Sequence, residues 1–110
     1  MSLTTHVLDT ARGRPAGGVG IEVARLADGG RRVLLQTRTN ADGRTDAPLL
    51  VEEAFAPGDY ELLFSVGTYF APEPAFYDQV VVRFVVRDPH QHHHVPLLVS
   101  PWAYSTYRGS

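Results

Sequence analysis

Cysteine is absent from this 110-residue chain, so neither a disulfide framework nor a thiolate nucleophile belongs to its chemistry. Positive charge is not in excess: 10 Lys and Arg against 12 Asp and Glu leave a formal net charge of -2, without the basic footprint that phosphate backbones select. Nucleic acid is therefore not an expected partner. No apolar run approaches the roughly 20 residues that cross a bilayer, and Met1 to His6 has neither the charged nor the apolar region of a secretory leader. The expectation is a cytoplasmic protein with no membrane partner. Also missing are a Gly-x-Ser-x-Gly elbow, a phosphate loop and a dinucleotide fingerprint.

No window of helical length carries a clear 3.6-residue stripe; period-two alternation runs through most of the chain instead. The expected core faces are Val7 with its neighbours, Ile21 and Val23, Val33 and Leu35, Tyr60-Leu62-Phe64-Val66, and Val80-Val82-Phe84-Val86. Turn residues separate them at Gly13-Arg14-Pro15, Gly17-Gly18, Asp28-Gly29-Gly30, Asp42-Gly43, Pro57-Gly58-Asp59 and Asp88-Pro89. Such short, evenly spaced strands predict one domain over residues 1–110, an all-β antiparallel sandwich of seven to eight strands. One short connecting helix is expected at Glu73 to Gln79, with Pro72 and Pro74 suited to its first turn.

Several polar residues stand apart from this pattern. In His94-Val95-Pro96-Leu97-Leu98-Val99-Ser100, alternation puts Val95, Leu97 and Val99 inward and His94, Pro96 and Leu98 outward. That outer face is too apolar for ordinary solvation and reads as an interface. Pro96 has no N–H for a ladder, which predicts a bulge or an unpaired stretch beside it. A hairpin through Ser100-Pro101-Trp102-Ala103, with Trp102 packed in it, brings Ser105 and Tyr107 near His94. His6 faces outward at the start of the first strand. His90, His92 and His93 read as solvated residues leading into the strand. As a metal cluster, at most His92 and His94 of the three adjacent histidines could bind one ion, fewer than the three or four ligands a site needs, although His90 and His6 could supply more. Arg44, just past the Asp42-Gly43 turn, reads on its own as a surface charge, and Arg108 alternates away from Tyr107.

The terminal Tyr107-Arg108-Gly109-Ser110, with His92-His93-His94-Val95-Pro96-Leu97-Leu98 and His6-Val7-Leu8-Asp9, resembles the transthyretin-related 5-hydroxyisourate hydrolases over nearly the whole chain. The resemblance implies a transthyretin-like sandwich assembled as a homotetramer, a dimer of dimers, with sites in a channel between subunits. It implies a cofactor-free hydrolase for which 5-hydroxyisourate, the product of urate oxidation, is the substrate. Water would attack its C6 carbonyl to give 2-oxo-4-hydroxy-4-carboxy-5-ureidoimidazoline. The site residues carried over are His6, Arg44, His94, Tyr107 and Ser110. His94 is assigned as base on water, His6 as the group that orients water or protonates the leaving nitrogen, and Arg44 as the clamp on the carbonyl edge. Tyr107 and Ser110 would close the pocket. The residues alone do not decide which histidine is the base, or whether Ser110 acts by its hydroxyl or by the terminal carboxylate. The alternative is a noncatalytic carrier of a small aromatic ligand in the same channel, but carriers of that kind lack the terminal tetrapeptide and the His6, Arg44, His94 combination.

Overall fold

The computed structural model describes residues 2–109. Its strands are β1 Ser2–Asp9, β2 Arg14–Pro15, β3 Gly20–Ala27, β4 Gly30–Arg38 and β5 Leu50–Val51, then β6 Gly58–Ser65, β7 Gln79–Val86, β8 His93–Val99 and β9 Tyr104–Thr106. A 3-10 turn at Glu52–Ala54 precedes β6, and β6 runs directly into a one-turn helix, α1, Val66–Phe70. One sheet has the order β2-β1-β8-β9, with β5 also paired to β1; the other has the order β4-β3-β6-β7. The two sheets form the transthyretin-like sandwich that the alternation and the resemblance predict. Among the described residues no helix is long and apolar enough to cross a membrane.

The core lies between the sheets. Leu3, Val7, Val95, Leu97 and Val99 come from one side, and Ile21, Val23, Tyr60, Leu62, Phe64, Val80 and Val86 from the other. Full burial of one such aliphatic side chain is worth about 1.5–3 kcal/mol. A one-residue slip of a strand would turn its whole apolar set toward solvent, so the burial fixes the register.

One strand pair departs from the antiparallel expectation. β1 and β8 run parallel, from Leu3 opposite His93 to Asp9 opposite Val99. A hairpin cannot join parallel neighbours; here the intervening chain builds the opposite sheet before it returns. Alternation alone carries no information on strand direction.

Three local expectations are corrected. Val33, expected in the core, is 45% exposed, because the ladder of β3 and β4 shifts register between Val23 and Ala24. Val23 then faces Leu35 and Ala24 faces Val33, leaving Leu34 as the extra residue of a bulge. The helix lies at Val66–Phe70, not Glu73 to Gln79. In the expected segment the N–H groups of Phe76 and Tyr77 donate to Pro101 O, at 2.8 and 3.4 Å, and are lost to an intrahelical ladder. Val66 and Phe70, four apart, are buried on one face of the actual helix. Trp102, expected to pack in the β8–β9 hairpin, is 66% exposed at its turn.

His93 is the fourth correction. It shares the parity of Val95 and Leu97, and it is buried, with only 7% exposed. Its ring meets Phe55 edge-on at 5.2 Å, and its Nδ1 lies 2.9 Å from Gln91 O. Reading the three histidines as one solvated group overrode the alternation that already placed this one inside. His93→Asn should therefore lower stability by about 1–3 kcal/mol in urea or thermal unfolding. His90→Asn, at an exposed position, should stay within about 0.5 kcal/mol of the parent.

Candidate active site

The ladder that buries Leu3, Val7, Val95 and Leu97 also sets what appears on its other face. Thr4 lies opposite His94, and His6 opposite Pro96. Because side chains alternate, Ser2, Thr4 and His6 of β1 stand on the same outer surface as His94. This is the outward placement expected for His6 and His94.

Arg44 reaches that surface through a turn built by its own sequence. The side-chain oxygen of Asn40 accepts the N–H groups of Asp42 and Arg44 at 2.9 and 3.2 Å, and Asn40 N–H donates to Arg44 O at 2.7 Å. Gly43 has φ +73, and a Cβ there would sit 2.3 Å from Val7 O, so no other residue fits without displacing β1. Gly43 O accepts the Val7 N–H at 2.8 Å, and Leu49 N–H donates to Leu3 O at 2.8 Å. The segment from Gly43 to Leu49 is thus tied along the edge of β1 opposite β8, between its pairings with β2 and β5.

Between this segment and the two strands lies a cleft of about 430 Å³ bordered by Thr4, Arg44, Thr45, Asp46, His92 and His94. Its size suits a small heterocycle. Arg44 is exposed and takes part in none of the ion pairs among the described residues, so its planar donor fork is available to a ligand.

His94 is half-buried. Burial, followed by the nearby charges of Arg44, His92 and His6, holds its pKa below the ordinary histidine value of 6.5. It is neutral at physiological pH, the state a general base requires. Its Nδ1 lies 2.8 Å from Thr4 Oγ1. The ring of His6 is held differently: Nε2–H donates to Asp42 O at 2.9 Å. A carbonyl can only accept, so Nε2 carries a proton and Nδ1 is the nitrogen left for another partner. The Asn40–Arg44 turn therefore orients His6 and delivers Arg44 together.

The tail is divided. The predicted interruption beside Pro96 is present: β9 pairs with β8 only over Leu97–Val99, and Thr106 Oγ1 donates to Pro96 O at 2.7 Å. Pairing resumes at a single bridge between His94 and Gly109. In between, Tyr107 is 60% exposed and borders a separate apolar groove with Val82, Phe84, His93 and Val95, not the His94 cleft. Arg108 turns back on its own chain, donating to Gln91 Oε1 at 3.0 Å and His92 O at 3.3 Å. Ser110, also expected in the site, lies outside the described residues. One chain thus brings Arg44 and His94 to one cleft and places His6 on the same outer face, near enough to act on the charge of His94 but not among the residues that border the cleft; Tyr107 is elsewhere.

Thr4 and Asn40 were not singled out in the sequence, and His92, whose face is shared with His94, reads there as a solvated residue. Thr4 could be found only once the β1–β8 pairing was known. Among the described residues no three His, Cys, Asp or Glu side chains come together as a metal site.

Gly109 has a role the sequence showed only in outline. Its N–H donates to His94 O at 2.7 Å, and a Cβ on it would approach His94 Cδ2 to 2.7 Å. The tail packs directly on the edge of the imidazole. Gly109→Ala should displace the His94 ring and lower activity about tenfold or more while the unfolding midpoint changes little. A steady-state assay beside thermal unfolding checks both.

The HIUase/Transthyretin family model matches residues 3–109. A 5-hydroxyisourate hydrolase of Deinococcus radiodurans is 51% identical over 98% of this chain and 95% of its own length. Among solved structures, Klebsiella pneumoniae 5-hydroxyisourate hydrolase is 34% identical with a TM-score of 0.86, covering 100% of both chains. Sea bream transthyretin in complex with thyroxine is 30% identical with a TM-score of 0.92, over 99% of this chain and 95% of that one. The fold, the outward His6, Arg44 and His94 and this full-length similarity agree: the chain belongs to the HIUase/transthyretin family.

Proposed function

We infer that this chain is a hydrolase that opens the six-membered ring of 5-hydroxyisourate by attack of water at C6. The arrangement that carries the mechanism is the half-buried His94, its pKa held below the ordinary histidine value, on the same small cleft as an Arg44 that joins no ion pair among the described residues. The curated relatives are hydrolases of this name, which favours the reading over the carrier alternative. No cofactor is needed for an activated cyclic amide when proton transfer is assisted, a contribution of roughly 10²–10⁴-fold per group.

In the proposed reaction His94 Nε2 removes a proton from water as its oxygen bonds to C6. Negative charge builds on the C6 oxygen, which the Arg44 guanidinium stabilises. The bond from C6 to the ring nitrogen then breaks, and that nitrogen receives the proton. Water is thereby added across the amide, giving the carboxylic acid of 2-oxo-4-hydroxy-4-carboxy-5-ureidoimidazoline, which releases its proton to solvent. His6, pinned at Nε2, orients the water or substrate through its other nitrogen.

Tyr107 and Ser110 enter through assembly. We propose a homotetramer, a dimer of dimers, in which the outer face bearing His94, Pro96 and Leu98 lines a channel and the tails complete each pocket. In support, Trp102 and Phe76 are large apolar side chains left 66% and 69% exposed, and Phe76 is tied to the β8–β9 turn through Pro101 O.

Generating 5-hydroxyisourate in situ with urate oxidase and following its ultraviolet decay tests the activity. His94→Asn should slow the enzymatic rate by about two orders of magnitude or more with the fold intact. Unchanged decay in the presence of the parent protein removes the enzyme reading.

Arg44 gives a second test, in which rate and pH dependence separate. Neutral His94 is the active form, so the rate should be flat above 6.5 and fall only as pH drops through the lowered value. Arg44→Ala removes one cause of the lowering, so its acid limb should move toward 6.5, short of reaching it because burial remains. Arg44→Lys keeps the charge, so its limb should stay in place. Both variants should lose rate, because both lose the planar fork.

For the assembly, light scattering should give about four chains per particle, a closed symmetric oligomer. Deleting Gly109 and Ser110 should suppress turnover while leaving that mass unchanged.

A further inference from the structure

The reaction above asks one histidine to take a proton from water and the leaving nitrogen to receive one, while His94 sits where a positive charge is disfavoured. The structure contains a route for that charge. Thr4 Oγ1 lies 2.8 Å from His94 Nδ1 and 3.1 Å from His92 Nε2. Ser2 Oγ lies 2.7 Å from the other nitrogen of the same ring, His92 Nδ1. The His92 and His94 rings are parallel to within 13°, with centroids 6.3 Å apart. Ser2, Thr4, His92 and His94 thus form one hydrogen-bonded row across β1 and the start of β8.

A hydroxyl has a single proton. Thr4 can donate to only one of the two imidazoles, so at least one of the ring nitrogens facing it carries a proton and the two tautomers are not independent. If His94 presents a bare Nε2 to the cleft, its Nδ1–H donates to Thr4, Thr4 O–H donates to His92 Nε2, and His92 Nδ1–H donates to Ser2. Reversing every bond gives the opposite arrangement, in which His94 presents Nε2–H to the cleft. The first arrangement is a base and the second is an acid.

We propose that Thr4 and His92 relay protons to and from His94, with His92 holding the reaction's proton between water attack and ring opening. The proposal rests on the hydrolytic reading and deepens it. As water adds to C6, its proton binds His94 Nε2, the Nδ1 proton passes to Thr4, and the Thr4 proton passes to His92 Nε2. His94 is left neutral with Nε2–H, and His92 is an imidazolium that still donates to Ser2. As the ring C–N bond breaks, Nε2–H protonates the leaving nitrogen, and the His92 proton returns through Thr4 to His94 Nδ1. Water has been added across the amide, and both rings regain their starting forms.

The surroundings favour this direction of transfer. His94 is half-buried and feels Arg44, His92 and His6, so an imidazolium there is costly. His92 is exposed, and its charge can be hydrated. Asp46 borders the same cleft and favours a charge on His92, while Arg44 on that cleft and the Arg108 guanidinium on the His92 carbonyl oppose it, which leaves hydration as the deciding difference. The relay also lets His94 serve as both base and acid, so that His6, whose Nε2 is committed to Asp42 O, needs to supply no proton.

The test compares Thr4→Val, Thr4→Ser, His92→Ala and His94→Asn as full-length proteins on 5-hydroxyisourate generated in situ. Thr4→Val should lower kcat about 10- to 100-fold with KM nearly unchanged, and Thr4→Ser, which restores a hydroxyl, should recover most of it. His92→Ala, at an exposed position, should fold normally, lose about tenfold or more in kcat, and regain rate when millimolar imidazole is added. The solvent deuterium isotope effect on kcat should change in both Thr4→Val and His92→Ala. Parental kcat and isotope effect in His92→Ala would overturn the relay, as would a loss in Thr4→Val that serine does not recover. A loss in His92→Ala that imidazole leaves untouched would do the same, assigning His92 a structural part. These outcomes are separate from failure of the underlying reading, which would show as full activity in His94→Asn.

Discussion

The pairing of β1 with β8 is the constraint on which the site depends. A parallel ladder places Thr4 against His94 and His6 against Pro96, and the burial of Leu3, Val7, Val95, Leu97 and Val99 fixes that register. The side-chain period is two, so there is no intermediate register. A slip of one residue would send His94 into the core and Val95 into the cleft, at a cost of several buried aliphatic side chains. Precision at the catalytic face is therefore a by-product of packing on the opposite face. The loop that carries Arg44 is referenced to the same strand through the Val7 to Gly43 hydrogen bond, so the site's components share one frame.

What the sequence showed of this, and what it hid, follows from the range of the interactions. Alternation in β8 is local, and it placed Val95, Leu97 and Val99 inward and His94 outward correctly. It applied equally to His93, whose burial was missed only because three adjacent histidines suggested a common environment. The bulge that exposes Val33 arises from a mismatch between two strands, and neither strand's own pattern contains it. The helix was misplaced for a similar reason: the donors of Phe76 and Tyr77 are taken by Pro101, some 25 residues later in the chain. Thr4 is the sharpest case. Alternation within β1 puts it on the face of His6 and Thr5 on the buried one, but its partnership with His94 exists only through a pairing between opposite ends of the sequence.

The terminal tetrapeptide shows why composition and conformation have to be read together. Pro96 offers no N–H to the neighbouring strand, so β9 loses contact after Thr106, and a lone bridge at Gly109 restores it. That bridge lies on the imidazole it serves. A side chain at position 109 would occupy the ring's own space, so the glycine is required by proximity to His94, with no need for an unusual backbone angle. The proline that appears to weaken the sheet is what frees Tyr107 and Arg108 from the ladder.

A sandwich of this shape also serves as a thyroxine-binding protein in sea bream, so the fold alone does not decide activity. The difference has to lie in residues that the fold tolerates but does not need. His6, Arg44, Thr4 and His94 fit that description. None is among the buried apolar residues, and all stand on the outer face or on a loop tied to it. Replacing them with apolar or inert side chains would leave the inner face, and hence the register, untouched. The same separation explains how a site with two linked histidines and an unpaired guanidinium is sustained in so small a protein. Their mutual repulsion acts between exposed and half-buried groups, where water moderates it, while the stabilising burial lies on the other side of the sheet. Charge repulsion and stabilising burial are thus carried by opposite faces of the same strands, and the outer face can change without dismantling the inner one that sets its register.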